Sequence, residues 1–275
     1  MSDIITTLQD MRYLDWGARK MSPGTPGCFL KAYEEMNGKK IYYKLSNYDS
    51  YRGVFGHECV NEIIVSRLME LLGIPHLKYT LIHALLQING ENVETWITAS
   101  ENFRLETEEK MAFDSYYDLQ KIEKESPLEF AVRNGWGRYF YQMMVIDYLV
   151  ANRDRHGSNL EVLIDMHSGK AKMAPLFDQG VSLLFSTYGN EKQIEDAEVM
   201  KDFATNNYIG SKSLEYNLTL IPKDYDLHMN DLKTSDKKII FKDIEKILTD
   251  RHIDKLWEMI WNRWCYYDNL RNQTK

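Results

Sequence analysis

What this 275-residue chain lacks narrows the field first. It has only three cysteines, Cys28, Cys59 and Cys265, all far apart. They offer neither a paired zinc spacing nor the even set of a disulfide framework. Such usage fits a reducing cytoplasm, and equally an effector delivered by a dedicated secretion machine. No stretch approaches the roughly eighteen consecutive apolar residues of a membrane-spanning helix. The start, Met1 to Thr7, has no basic residue and no apolar core of the signal-peptide kind. There is no surplus of positive charge: 34 lysines and arginines face 41 acids, a net −7. A surface that tracks nucleic-acid phosphates is therefore not expected. Internal repeats and low-complexity segments are also missing. What remains, 44% hydrophobic and 27% charged, is an ordinary globular composition. The length suffices for a sizeable core in one domain or two lobes.

The densest chemistry lies in Asn152-Arg153-Asp154-Arg155-His156-Gly157-Ser158-Asn159. An apolar segment, Phe140 to Val150, leads into it, and a β-type run, Leu160 to Ile164, leads out. Met166 to Lys170 supplies a hairpin turn, with Gly169 suited to positive φ. Then comes Pro175-Leu176-Phe177-Asp178-Gln179-Gly180. Phosphoryl transfer from ATP needs a carboxylate to orient the acceptor hydroxyl and oxygen ligands for Mg²⁺. Asp154 suits the first task. Asn159, five residues later, and Asp178 suit the second. Protein kinases use the same Asp-to-Asn spacing ahead of an Asp-Phe-Gly; here the glycine after the second acid comes one position late. Each piece alone is unremarkable, and order and spacing carry the reading.

Upstream, Ser22-Pro23-Gly24-Thr25-Pro26-Gly27-Cys28 is a turn. Gly24 and Gly27 would let backbone N–H groups approach phosphate oxygens. No Lys-Ser/Thr follows, so this is not an NTPase P-loop. Lys39 to Leu45 alternates as a strand and carries Lys44 beneath that turn. His57 to Gly73 reads as a helix with Val60, Ile63, Ile64, Leu68, Leu71 and Leu72 on one face. Gly73 and Pro75 terminate it. Glu58 and Glu62 share a side of this helix; Glu62, further inside, is the choice to hold Lys44. Asn89-Gly90 between β-type runs marks a hairpin, and the stretch from Ile97 to Phe103 falls where a hinge would lie.

Residues 104–127 carry seven acids and read as a solvated helical face. Pro127 to Val150 reads as one long helix, with Asp147 placed to brace the loop after it. The chain then turns polar and irregular to about Lys212. It closes on a helix with Ile253, Leu256, Trp257, Ile260, Trp261 and Trp264 on one stripe, read as core. The expected architecture is α+β and two-lobed: a β-rich lobe over 1–102 and a mainly helical lobe over 103–275.

The assembled pattern resembles the HipA-like serine/threonine kinases. The matching pieces are the turn from Ser22 to Phe29, Lys44, Asn61-Glu62, Leu71-Leu72-Gly73-Ile74-Pro75, Asp147-Tyr148-Leu149, Asn152 to His156 with Asn159, and Ala174 to Asp178. The resemblance implies a protein-kinase-like fold, ATP and Mg²⁺ as cofactors, and a serine or threonine acceptor. By it Asp154 is the catalytic base, Asn159 and Asp178 hold the metal, and Lys44 with Ser22, Gly24, Thr25 and Gly27 holds phosphates. His156 lies beside the phosphates, and Ser22 or Thr25 is the counterpart of a self-modified loop serine. HipA toxins carry a further N-terminal subdomain, where this sequence has about twenty residues before the turn. Docking to a DNA-binding antitoxin partner is thus not supported. The loop Asp-Arg-His-x-x-Asn is also similar to that of phosphatidylinositol 3- and 4-kinases, which keeps a lipid or small-molecule acceptor open. A nucleotide-binding pseudokinase is disfavoured, since acid, metal ligands and lysine are all present.

Overall fold

The alternating runs of the first hundred residues become strands because each side of a strand meets a different surroundings. In the computed structural model, which describes residues 2–16, 29–49, 51–187 and 189–272, they form one five-stranded sheet. Its members are β1 (Ile4–Asp10), β2 (Lys31–Met36), β3 (Lys39–Leu45), β6 (Thr80–Ile88) and β7 (Glu91–Glu101), ordered β1-β6-β7-β3-β2. A two-rung hairpin, β4 (Tyr48–Asp49) and β5 (Gly53–Val54), follows β3. The β6–β7 turn has Asn89 and Gly90 both at positive φ, the left-handed pair that matches strand twist. Leu81 faces the main core while its neighbour Ile82 joins Leu45, Leu86 and Ile97 in a second core on the other side. The first residues gave no strand signal in the sequence. Their strand β1 exists through parallel pairing with β6, a partner over seventy positions away.

Helix α1 (Glu58–Leu72) ends on Gly73 in the left-handed conformation, with Ile74 N–H returning to Met69 C=O at 2.9 Å. One apolar face was expected. Instead nearly the whole helix is buried, Asn61 and Glu62 included, because it lies between the sheet and α7 (Lys237–Ile240).

Two further expectations need correction. Residues 108–112 are not a helical face but strand β8 (Glu108–Ala112). It joins β10 (Glu161–Asp165) and β11 (Ala171–Met173) in a sheet ordered β11-β10-β8. Its charges hid it: Glu108 pairs with Lys172 at 2.6 Å, and Lys110 with Glu161 at 2.9 Å. The two acids are buried beneath lysines that stay exposed, so the pairing lets the carboxylates lie on the sheet. Helix α2 (Phe113–Gln120) follows at once. The segment read as one long helix is two, α3 (Pro127–Arg133) and α4 (Gly137–Val150). Gly135 takes φ +78° between them, which a continuing helix forbids. Ser126 caps α3 reciprocally with Glu129.

The remaining elements are β9 (Asp154–Arg155), paired in parallel with β12 (Asn206–Asn207), short helices α5 (Glu191–Glu195) and α6 (Leu214–Leu218), and the long α8 (Asp250–Asn272). Ile253, Leu256, Ile260 and Trp264 of α8 are buried, while Trp257 and Trp261 stack on each other at its flank. Among the described residues no helix is long and apolar enough to cross a membrane. The whole is a β-rich N-terminal lobe on a mainly helical C-terminal one. Ser22, Gly24, Thr25 and Gly27 lie outside the described residues.

Candidate active site

Strand β3, helix α1 and the segment after β11 converge on one ammonium group. Lys44 Nζ lies 2.6 Å from Glu62 Oε1 and 2.5 Å from Asp178 Oδ1. Thr98 Oγ1 donates to the other Glu62 oxygen at 2.9 Å. Burial alone would pull the Lys44 ammonium down, but the two carboxylates outweigh it and hold its pKa well above the ordinary lysine value. Burial raises Glu62, whose side chain is 1% exposed, despite the pull of Lys44. For Asp178, 23% exposed, burial is overcome by Lys44 and the pKa falls. Glu58 does not join: its carboxylate accepts from the Asn47 backbone N–H at 3.2 Å and from the Asn47 side chain.

Asp178 takes φ +59°, unusual for a residue with a Cβ. Its N–H donates to Tyr79 Oη at 3.1 Å, and the preceding Phe177 C=O accepts from Arg155 Nη1 at 3.1 Å. Beyond it, Asn61 Nδ2 donates to the carbonyls of Gly180 and Ser182 at 3.1 and 2.9 Å. A Cβ at Gly180 would meet Glu58 Cβ at 3.0 Å, so this glycine lets the segment lie against α1.

Helix α4 ends on Ala151 in the left-handed conformation, which turns the chain into the loop. Asn152 is buried and donates to Asp147 Oδ1 at 2.9 Å and to Gln179 Oε1 at 3.1 Å. Asp154 stays partly exposed, its side chain at 37%. Asn206 Nδ2 donates to Asp154 Oδ1 at 3.1 Å, and His156 Nε2 lies 3.7 Å from Asp154 Oδ2. Ser158 Oγ lies 2.7 Å from His156 Nδ1. Asn159 Nδ2 donates to the Asp154 carbonyl at 2.8 Å. Lys44, Glu62 and Asp178 thus form one cluster, and Asp154, His156 and Asn159 a second on the loop that Arg155 ties to the first. Sequence reasoning missed Arg155, Asn152, Tyr79 and Asn206. The first two sit inside the motif without a pattern of their own; the others come from distant segments and left no signal.

No protein-family model matches the chain, and no curated protein does. Among solved structures, the Helicobacter pylori proinflammatory kinase CtkA superposes over 96% of this chain and 97% of its own, at 18% identity and a TM-score of 0.66. The chain has a kinase-like fold. Golgi casein kinase matches at 12% identity and TM-score 0.43, over 86% of this chain and 68% of its own. The HipA of Shewanella oneidensis MR-1, from a complex with HipB and operator DNA, matches at 15% and 0.43, over 96% and 61%. HipA is the family the motifs resemble; at that score neither structure adds to the fold assignment.

Proposed function

We propose that this protein transfers the γ-phosphoryl group of ATP to an alcohol, a serine or threonine of a protein being the acceptor. The lobe boundary falls near residue 102. The observation that carries the reading is Lys44, held between Glu62 of α1 and Asp178 on a kinase-like fold. Such a lysine pairs with nucleotide phosphates in kinases. Asp154 accepts the hydroxyl proton; it is exposed enough to meet a substrate and is oriented by Asn206.

The donors suit Mg²⁺. Asn159 spends its amide nitrogen on the Asp154 carbonyl, which leaves Oδ1 for a cation, and Asp178 adds a carboxylate. Among the described residues no cluster of three or more His, Cys, Asp or Glu forms a metal cage. Few protein oxygens, completed by phosphates and water, is how Mg²⁺ is usually held. When bound, Mg²⁺ neutralises charge on the phosphates. His156 lies on the same loop and would offer a ring N–H to them.

Incubation with labelled ATP and Mg²⁺ should label the protein itself or a generic protein substrate. Asp154→Asn should fold normally by circular dichroism and lose about 10²–10⁴-fold in rate; equal activity would remove Asp154 from the mechanism. Phosphoinositide vesicles in a parallel arm test the acceptor, and faster labelling of lipid would reassign it. Mass spectrometry of the same incubation reads Ser22 and Thr25 for self-modification.

A further inference from the structure

The peptide unit between Phe177 and Asp178 is gripped at both ends. Its C=O accepts from Arg155 Nη1 and its N–H donates to Tyr79 Oη, each at 3.1 Å. These bonds fix the plane of the peptide, from which Asp178 turns at φ +59° to place its carboxylate on Lys44. Few residues with a Cβ take that conformation, Asp among the readier ones, and here the peptide before it is held at both ends. Arg155 is itself anchored by Asp147. Tyr79 is anchored through its chain. Just after Pro75, His76 bridges in parallel to Leu176, and Leu77 N–H donates to Leu176 C=O at 2.8 Å. Residues 76–79 therefore run as a strap along 176–178. Burial first, then the Glu62 carboxylate, keeps the Tyr79 phenol protonated far above neutral pH.

We propose that Tyr79 is a positioning residue for Asp178: its hydroxyl oxygen holds the Asp178 N–H, and so sets the backbone conformation from which the carboxylate reaches the cation. This rests on the reading of Asp178 as a Mg²⁺ ligand. It gives the strap between α1 and β6 a part in metal binding. It also ties the end of the helix that carries Glu62 to the segment that carries Asp178.

The test is Mn²⁺ binding, followed by electron paramagnetic resonance in the presence of a non-hydrolysable ATP analogue, for wild type, Tyr79→Phe and Asp178→Asn. Tyr79→Phe keeps the ring and removes the hydroxyl. It should weaken Mn²⁺ about tenfold, equivalent to about 1.4 kcal/mol, while metal-free binding of the analogue stays at the wild-type level. In turnover its Mg²⁺ requirement should rise more than its maximal rate falls. Wild-type Mn²⁺ affinity in Tyr79→Phe, with binding lost in Asp178→Asn, overturns the role of Tyr79 and leaves the metal reading standing. Wild-type affinity in Asp178→Asn overturns the metal reading and this proposal with it. Should Tyr79→Phe fail to fold, hydrogen exchange in the wild type decides: the Asp178 amide should exchange slowly, and rapid exchange sinks the idea.

Discussion

Asp147 on α4 and Arg155 on the following loop form an ion pair closed to solvent, Nη2 to Oδ1 2.8 Å apart, with side chains 0% and 1% exposed. Asn152 donates to the same Asp147 oxygen, and Arg155 reaches on to the Phe177 carbonyl. Removing one partner leaves a buried charge alone, at about 3–5 kcal/mol. Arg155→Ala and Asp147→Ala should each lower stability by that order in urea titrations. The double variant Asp147→Leu/Arg155→Met should be milder than either, since no charge is then stranded.

Lys44→Met should destabilise by about 3 kcal/mol, with a pH dependence of known sign. Burial already raises Glu62 above its ordinary value with Lys44 beside it. Without the ammonium both Glu62 and Asp178 rise, and the native state binds more protons than the unfolded one. Stability then falls as pH rises through those values. The defect relative to wild type should be larger at pH 8 than at pH 5.5; the opposite order would count against the pairing.

Gly157 stands against Asp114 of α2. A Cβ there would lie 2.5 Å from Asp114 Oδ2 and 2.7 Å from its Cβ and Cγ. Gly157→Ala should therefore push the loop that carries Asp154 and Asn159, slowing phosphoryl transfer roughly tenfold, since small misplacements of reacting groups cost rate steeply. Gly157→Ala/Asp114→Gly, which removes the opposing Cβ as well as the carboxylate, should recover most of that loss. No recovery would place the fault elsewhere in the loop.

His57 at the start of α1 meets His252 of α8 edge to face, ring centroids 5.0 Å apart. Burial, then the neighbouring imidazole, depresses His57 to about 3 from an ordinary 6.5. The unfolded state thus binds the extra proton between those values, and stability is lost as pH falls through that window. One proton corresponds to a slope of about 1.4 kcal/mol per pH unit. His57→Phe should flatten the dependence measured between pH 6.5 and 4.5; an unchanged slope would assign the acid sensitivity to other groups.

Local pattern was enough to read the Lys39–Leu45 strand, the Asn89-Gly90 hairpin, the helix closed by Gly73 and Pro75, and the amphipathic C-terminal helix. Each follows from residue periodicity or from one backbone preference. The order of acid loop, strand, hairpin and second acid was legible too, and with it the expectation of a kinase-like fold. Tertiary structure alone decided three other matters. Strand β1 depends on pairing with β6, and β8 on pairing with β10 and on charges neutralised by β10 and β11, so neither carries its own signal. The break at Gly135 rests on a φ that glycine permits without requiring. The meeting of Lys44 with Asp178, and the grip of Tyr79 and Arg155 on one peptide unit, join segments from 22 to 134 positions apart in sequence. Only chain folding sets such distances, because a hydrogen bond depends on where two groups end up and not on what lies between them.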